Sequence, residues 1–160
     1  MNLVSLKKSR KRPEVGDGFV FQLIIEPEKF RFGMVVSTTM KIVSFENVTM
    51  VYIYDHLGNK KDDYPKFATK KLLIPPQAIN ALGWSRGFFE TVARLDLEIH
   101  PEYKFSQHHF ASFVRPGLYY DEFDNEIKNP IEPIGAHGLG NHRTIEDDVC
   151  HKLGYPCSED

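Results

Sequence analysis

Cysteine is nearly missing from this chain: Cys150 and Cys157 are its only two, both near the C-terminal end. That is too few and too local for the disulfide framework of a small secreted fold, and it fits a reducing compartment. Long apolar runs are missing as well. No stretch approaches the roughly 18 residues a membrane helix needs, and in the opening segment the charges follow the apolar residues, without the h-region of a signal peptide. A cytosolic protein with no membrane partner is expected. Nucleotide-binding loops fail: Gly16-Asp-Gly18 lacks the third glycine and opens a strand, and Gly135-Ala-His-Gly-Leu-Gly140 does not follow a buried strand. The nucleophile elbow, kinase, P-loop and zincin patterns are absent, so no catalytic residue and no cofactor is assigned.

What is present is an ordinary globular composition, 41% hydrophobic and 26% charged, with 12 Phe, 7 Tyr and one Trp. A chain of 160 residues is the length of one domain and can bury roughly two thirds of the surface its unfolded form exposes. The expected division is a flexible basic terminus over 1–14, a single β-rich domain over 15–154 and a tail over 155–160. The run Lys7, Lys8, Arg10, Lys11, Arg12 is read as a frayed, solubilising end.

From Gly16 onward the pattern turns to short β-type runs. Phe19–Ile25 and Phe30–Val36 form a hairpin around a Glu26–Lys29 turn, with Phe19, Phe21 and Leu23 on one face and Phe30, Phe32, Met34 and Val36 supplying the partner face. Gly33 inside the second strand marks a bulge or a close approach. Met40–Phe45 and Val48–Tyr54 follow as strands, with Glu46-Asn47 as their turn. Pro75 and Pro76 are expected to stop regular structure, and Gln77–Leu82 to make a short helical turn. Trp84–Arg94 and Phe105–Val114 read as further strands, and Leu118–Ile127 as a hairpin turning at Asp124-Asn125. The Gly/Pro-rich stretch 130–140 reads as irregular. A helix closes the chain from Thr144, its N-cap, to Gly154. The fold class is therefore α+β, mainly β: a twisted antiparallel sheet or partial barrel with one C-terminal helix and a short helical turn.

Chemistry-bearing residues are scattered. His108 and His109 are adjacent, so on a strand they face opposite ways. His137 and His142 stand five apart and could meet at an ion near His151, Cys150 and Cys157, but no Cys-x-x-Cys or His-x-x-x-His pair accompanies them. Strand aromatics Phe30, Phe32, Tyr52 and Tyr54 lie near Lys29, Arg31 and Lys41, the ingredients of a single-strand nucleic-acid platform; core packing accounts for them better. The net charge of −2 conceals an asymmetry, because residues 121–160 hold 3 Lys and Arg against 10 Asp and Glu. An acidic face of that size repels nucleic acid and attracts a basic partner.

Taken in order, Arg12-Pro-Glu-Val-Gly-Asp-Gly-Phe-Val-Phe21, Phe30-Arg-Phe-Gly-Met-Val-Val36, Leu72-Leu-Ile-Pro-Pro76, Trp84, Gly87-Phe88, Tyr120-Asp-Glu-Phe-Asp-Asn-Glu126, Gly138-Leu-Gly140 and the closing helix resemble the immunity protein 26 family of bacterial polymorphic toxin systems. The likeness spans about residues 11–154 and departs at Gly18, where the family more often has a β-branched residue, and at the loop around Lys60–Lys71. It implies a protein, not an enzyme, that binds and neutralises the C-terminal domain of a co-encoded toxin in the cytosol. Many such toxins are nucleases with basic clefts, so Asp121, Glu122, Asp124, Glu126, Asp147 and Asp148 are the expected contact residues. A small hydrolase of phosphotriesterase-like annotation, using His137, His142 or His108 with nearby carboxylates, and a nucleic-acid-binding module are the alternatives.

Overall fold

The computed structural model describes residues 1–65 and 71–157, so part of the Lys60–Lys71 loop and of the 155–160 tail lies outside the described residues. Among these, Asp17–Phe21 (β1), Phe30–Ile42 (β2), Phe45–Gly58 (β3), Leu72–Ile79 (β4) and Glu90–Arg94 (β5) make a five-stranded antiparallel sheet in the order β4-β3-β2-β1-β5. A smaller sheet holds His109–Ala111 (β6), Tyr119–Asp121 (β7), Glu126–Ile127 (β8) and Ile134–Ala136 (β9) in the order β8-β7-β6-β9, with β9 parallel to β6. Two helices, Leu82–Ser85 (α1) and His142–Leu153 (α2), and a 3₁₀ turn at Pro101–Tyr103 complete it. The chain is mainly β, as expected, and its sheets do not close into a barrel. No described helix is long and apolar enough to cross a membrane.

The larger sheet is buried on both faces, which the hairpin reading did not anticipate. Phe19 pairs with Gly33 and Val20 with Phe32, so Phe32, Met34 and Val36 lie on the face of Val20, opposite Phe19 and Phe21. Residues paired across a ladder share a side, and that fixes the assignment. Phe19, Phe21, Trp84 and Phe89 cluster on one face with Ile145, Val149 and Cys150 of α2. The other face carries Phe32, Met34, Met50, Tyr52 and Tyr54 and is joined by Phe110 of β6. Phe32, Tyr52 and Tyr54 are thus core, not a stacking platform.

Gly33 is a point of close approach. A Cβ there would lie 2.5 Å from the Phe19 ring and 2.7 Å from the Tyr52 carbonyl oxygen, and the register against β3 shifts beside it. Gly18 has a similar cause: its missing Cβ makes room for the Tyr64 ring, 2.6 Å from where that atom would sit.

Several boundaries move for identifiable reasons. Met40 and Ile42 remain buried in β2, so no separate strand begins at Met40, and the turn falls at Val43-Ser44 because Ile42 pairs with Phe45. Asn47 does take a positive φ of 53°, but inside β3. Pro75 and Pro76 do not stop β4. Val51 pairs with Gln77 and Ile53 with Ile74, leaving both prolines opposite Tyr52 alone, in a bulge on a strand whose only ladder is with β3 in this sheet. Bulges and sheet edges are where proline is tolerated, since no ladder donor is needed there. Gln77–Ile79 therefore belongs to β4, and the helical turn is α1, which carries Trp84. The Phe105–Val114 strand shrinks to β6, and the stretch read as irregular contains β9.

Helix α2 begins earlier than Thr144. Asn141 is the N-cap, its side chain accepting the Arg143 amide at 2.8 Å, while Thr144 Oγ1 accepts the Asn141 amide in a reciprocal capping box. Asp147 and Asp148 consequently lie past the first turn. Gly154 ends the helix at φ 73°.

Nor is the N-terminal segment frayed. Leu3 is buried and bridges Leu23, the Leu6 amide donates to the Gly87 carbonyl at 2.7 Å, and the Ser9 amide donates to the Trp84 carbonyl at 3.0 Å. Leu3 joins the Phe19 cluster and Leu6 packs against the opposite one, around Phe32, while the lysines and arginines of the segment stay outside. The β1–β2 loop is fixed by a buried bidentate pair, Arg31 Nε and Nη2 to Glu26 at 2.9 and 2.6 Å, with the Tyr155 hydroxyl also donating to Glu26.

Replacing Gly33→Ala should lower unfolding stability by about 1–3 kcal/mol, because the added methyl meets a packed ring and a backbone oxygen. Urea denaturation checks this: the midpoint should fall with an unchanged slope, and an unchanged midpoint refutes it.

Candidate functional site

The β2–β3 turn is under strain. Val43 and Ser44 both have positive φ, 47° and 66°, the mirror-image turn geometry that Asn-Gly adopts readily and a β-branched residue does not. Asp124, in the β7–β8 turn and itself at φ 66° as its αL turn role requires, braces it. One oxygen of Asp124 accepts the Ser44 amide at 3.2 Å; the other accepts from His137 Nε2 at 2.7 Å. The His137 ring lies flat on Tyr120, centroids 4.0 Å apart. Burial works against ionisation of Asp124, but the His137 hydrogen bond and the Ser44 and Val43 amides outweigh it and hold the carboxyl below its ordinary value.

Around this brace opens a cavity of about 640 Å³ lined by Val43, Phe45, Phe113, Val114, Tyr120 and Leu139, with Arg115, Asp124 and His137. Large apolar side chains at this end face water: Phe45 is 53% exposed, Phe113 72%, Val114 77% and the neighbouring Phe123 58%. Single exposed apolar residues are ordinary, whereas a cluster around a concavity marks an interaction surface. Sequence periodicity missed it. The pattern places Val43 and Phe113-Val114 in strands, whereas β2 ends at Ile42 and β6 ends at Ala111, before Phe113.

The histidines do not converge. His137 sits on Asp124 and Tyr120, while His142, at the start of α2, is buried against Phe88 and neither ring nitrogen has a hydrogen-bond partner among the described residues. Burial, with Arg86 and Arg143 adding to it, lowers the His142 pKa. His108 and His109 part company as expected: His108 joins Tyr52 and Glu122, and His109 Nδ1 accepts the Ile131 amide at 2.8 Å. Cys150 is buried and Cys157 exposed, both as free thiols. Among the described residues no three His, Cys, Asp or Glu side chains gather to hold a metal ion.

The six acidic positions divide. Asp121 closes its own turn, accepting the Phe123 and Asn125 amides at 2.9 and 3.0 Å. Glu122 is mostly buried against His108, and Asp124 is the brace. Glu126, Asp147 and Asp148 are exposed, the first on β8 and the others on α2, where Asp148 lines a small cleft between β4 and β9.

A family model described as Immunity protein 26 matches residues 14–112. The chain belongs to the immunity protein 26 family. No curated protein and no solved structure matches it significantly. In this member of the family the matched span runs from the approach to β1 through β6 and stops at the cavity wall: Val43, Ser44 and Phe45 fall inside it, Phe113–Arg115, Asp124 and His137 outside. The motifs at Tyr120–Glu126 and Gly138–Gly140 and helix α2 also lie beyond it.

Asp124→Asn should destabilise the protein by roughly 1–2 kcal/mol at neutral pH through loss of charge-assisted bonds to His137 and Ser44. A carboxylate whose folded-state pKa is depressed contributes fully above its ordinary value of 3.8 and loses that contribution as pH falls through the lower folded value. The stability gap between parent and variant, from denaturation at stepped pH, should close only below 3.8; a pH-independent gap contradicts the brace. The double change Val43→Asn with Ser44→Gly should instead raise the thermal midpoint, since it relieves the turn strain. No rise would show the turn to be unstrained.

Proposed function

We propose that the protein neutralises a cognate bacterial toxin by binding its C-terminal domain in the cytosol, as the immunity partner in a polymorphic or contact-dependent inhibition system. Membership of the immunity protein 26 family carries this reading. The apolar cluster around Phe45, Phe113 and Val114 supports a binding role, because interfaces concentrate their energy in a few large desolvated side chains.

The toxin is proposed to be a nuclease with a basic cleft. Glu126, Asp147 and Asp148 supply exposed negative charge for steering the encounter, and residues 121–160 as a whole carry the acidic excess. Asp121, Glu122 and Asp124 contribute by shaping the β7–β8 turn. Rim charges act mainly on association rate and its salt dependence, and buried apolar anchors on dissociation.

Co-expression with the toxin domain encoded beside this gene is the test. The intact protein should restore growth, and the purified pair should form a stoichiometric complex. Phe45→Ala with Phe113→Ala should raise the dissociation rate roughly tenfold or more. Charge reversal at Glu126, Asp147 and Asp148 should slow association chiefly at low salt. A toxin left fully active by the intact protein would remove the proposal; rates untouched by the charge reversals would remove the acidic contact residues from it.

A further inference from the structure

The cavity at the β2–β3 turn has a second half. Phe45 and Leu139 also line a cavity of about 500 Å³ whose other walls include Arg12, Thr38, Thr39, Asn47 and Asn80. The two halves share those side chains as a common wall, forming one trough with an apolar end and a polar end.

The charges lining this trough are unequally committed. Asp124 is engaged by His137 and the Ser44 amide, and Glu46 faces Lys41 at 3.6 Å. Arg12 and Arg115, one in each half and both exposed, have guanidinium groups with no hydrogen bond or ion pair among the described residues. A guanidinium offers a planar fork of donors that matches a carboxylate, and an apolar wall beside it rewards a partner that brings both chemistries together.

We propose that the trough binds an extended segment of the partner protein in which an apolar side chain lies between acidic residues. The apolar side chain seats against Phe45, Phe113, Val114 and Leu139. One carboxylate pairs with Arg115 and another with Arg12 across the shared wall. The proposal deepens the binding role given above and rests on it only in taking the partner to be a protein. It also separates two surfaces by charge, since the exposed acids Glu126, Asp147 and Asp148 are not among the residues lining the trough. A nucleic-acid strand suits the arginines but not the aliphatic walls of Val43, Val114 and Leu139, nor the carboxylates of Asp124 and Glu46.

The probe is a random-peptide display library selected on the intact protein. Enriched peptides should carry an apolar residue flanked by Asp or Glu. The synthetic consensus peptide should bind by calorimetry, and Arg12→Glu or Arg115→Glu should each weaken it roughly tenfold or more. Phe113→Ala should weaken it comparably. Ile99→Ala, an exposed apolar change at a residue not lining the trough, should leave it unchanged. Circular dichroism of each variant confirms that it is folded. Selection of basic or uncharged peptides, no enrichment, or binding indifferent to both arginine changes overturns the proposal. Arginine-dependent binding of a single-stranded oligonucleotide in place of peptide overturns it in favour of nucleic acid. Growth rescue against the neighbouring toxin is scored separately, so failure of the immunity role and failure of the trough are told apart.

Discussion

Tyr52 stands on the central part of β3 with its hydroxyl between two neighbours: it accepts the Phe105 amide at 2.9 Å and lies 2.6 Å from His108 Nε2. His108 Nδ1 is 3.1 Å from Glu122; with Nδ1 donating to the carboxylate, Nε2 accepts a hydrogen bond from the tyrosine hydroxyl. This buried chain joins the large sheet to the small one at the level of β6 and β7. The Lys41 amide donates to the Glu122 carbonyl on the same residue, so the end of β2 is tied to the same point. Together with that backbone bond, the chain sets the height of the β7–β8 turn against the large sheet, and so the place from which Asp124 holds Val43 and Ser44. Burial raises the Tyr52 pKa well above its ordinary value, so the phenol stays protonated, as a donor must.

The exposed apolar end thus rests on a hierarchy of polar contacts, each more exposed than the one beneath it. Tyr52 and His108 are sealed, Glu122 and His137 are mostly covered, and Asp124 reaches the turn. A strained backbone conformation persists only where its surroundings over-determine it. Here the over-determination comes from one carboxylate taking an imidazole on one side and the turn amides on the other.

Much of the scaffold was legible in the chain because its signals are local. Alternation placed β1 and β2, Asp124-Asn125 placed a hairpin turn, Gly33 announced a close approach, and Gly154 ended a helix. What was illegible depends on pairing. Whether Phe32 lies beside Phe19 or behind it is decided by register, and Pro75 and Pro76 are admissible only because they fall in a bulge on β4. The six acidic residues were visible as charge, but not their division into turn-makers and exposed positions, which depends on where His108 and His137 arrive from elsewhere in the chain. The Val43-Ser44 turn was hidden for the same reason. Neither residue favours the conformation, and the residue that imposes it is far away in sequence.

The order of strands also bears on how the molecule comes together. β1 to β4 are joined by consecutive hairpins and can form as they are made, but β5 returns to β1 across all of them, and α2 supplies Glu146 and Cys150 to Asn2. Contacts so distant along the chain close late, because loop entropy must be overcome first. During synthesis the Phe19 face therefore stays partly uncovered until α2 leaves the ribosome. That interval is a window for a chaperone, and the stage at which a nascent chain of this kind is most prone to aggregate.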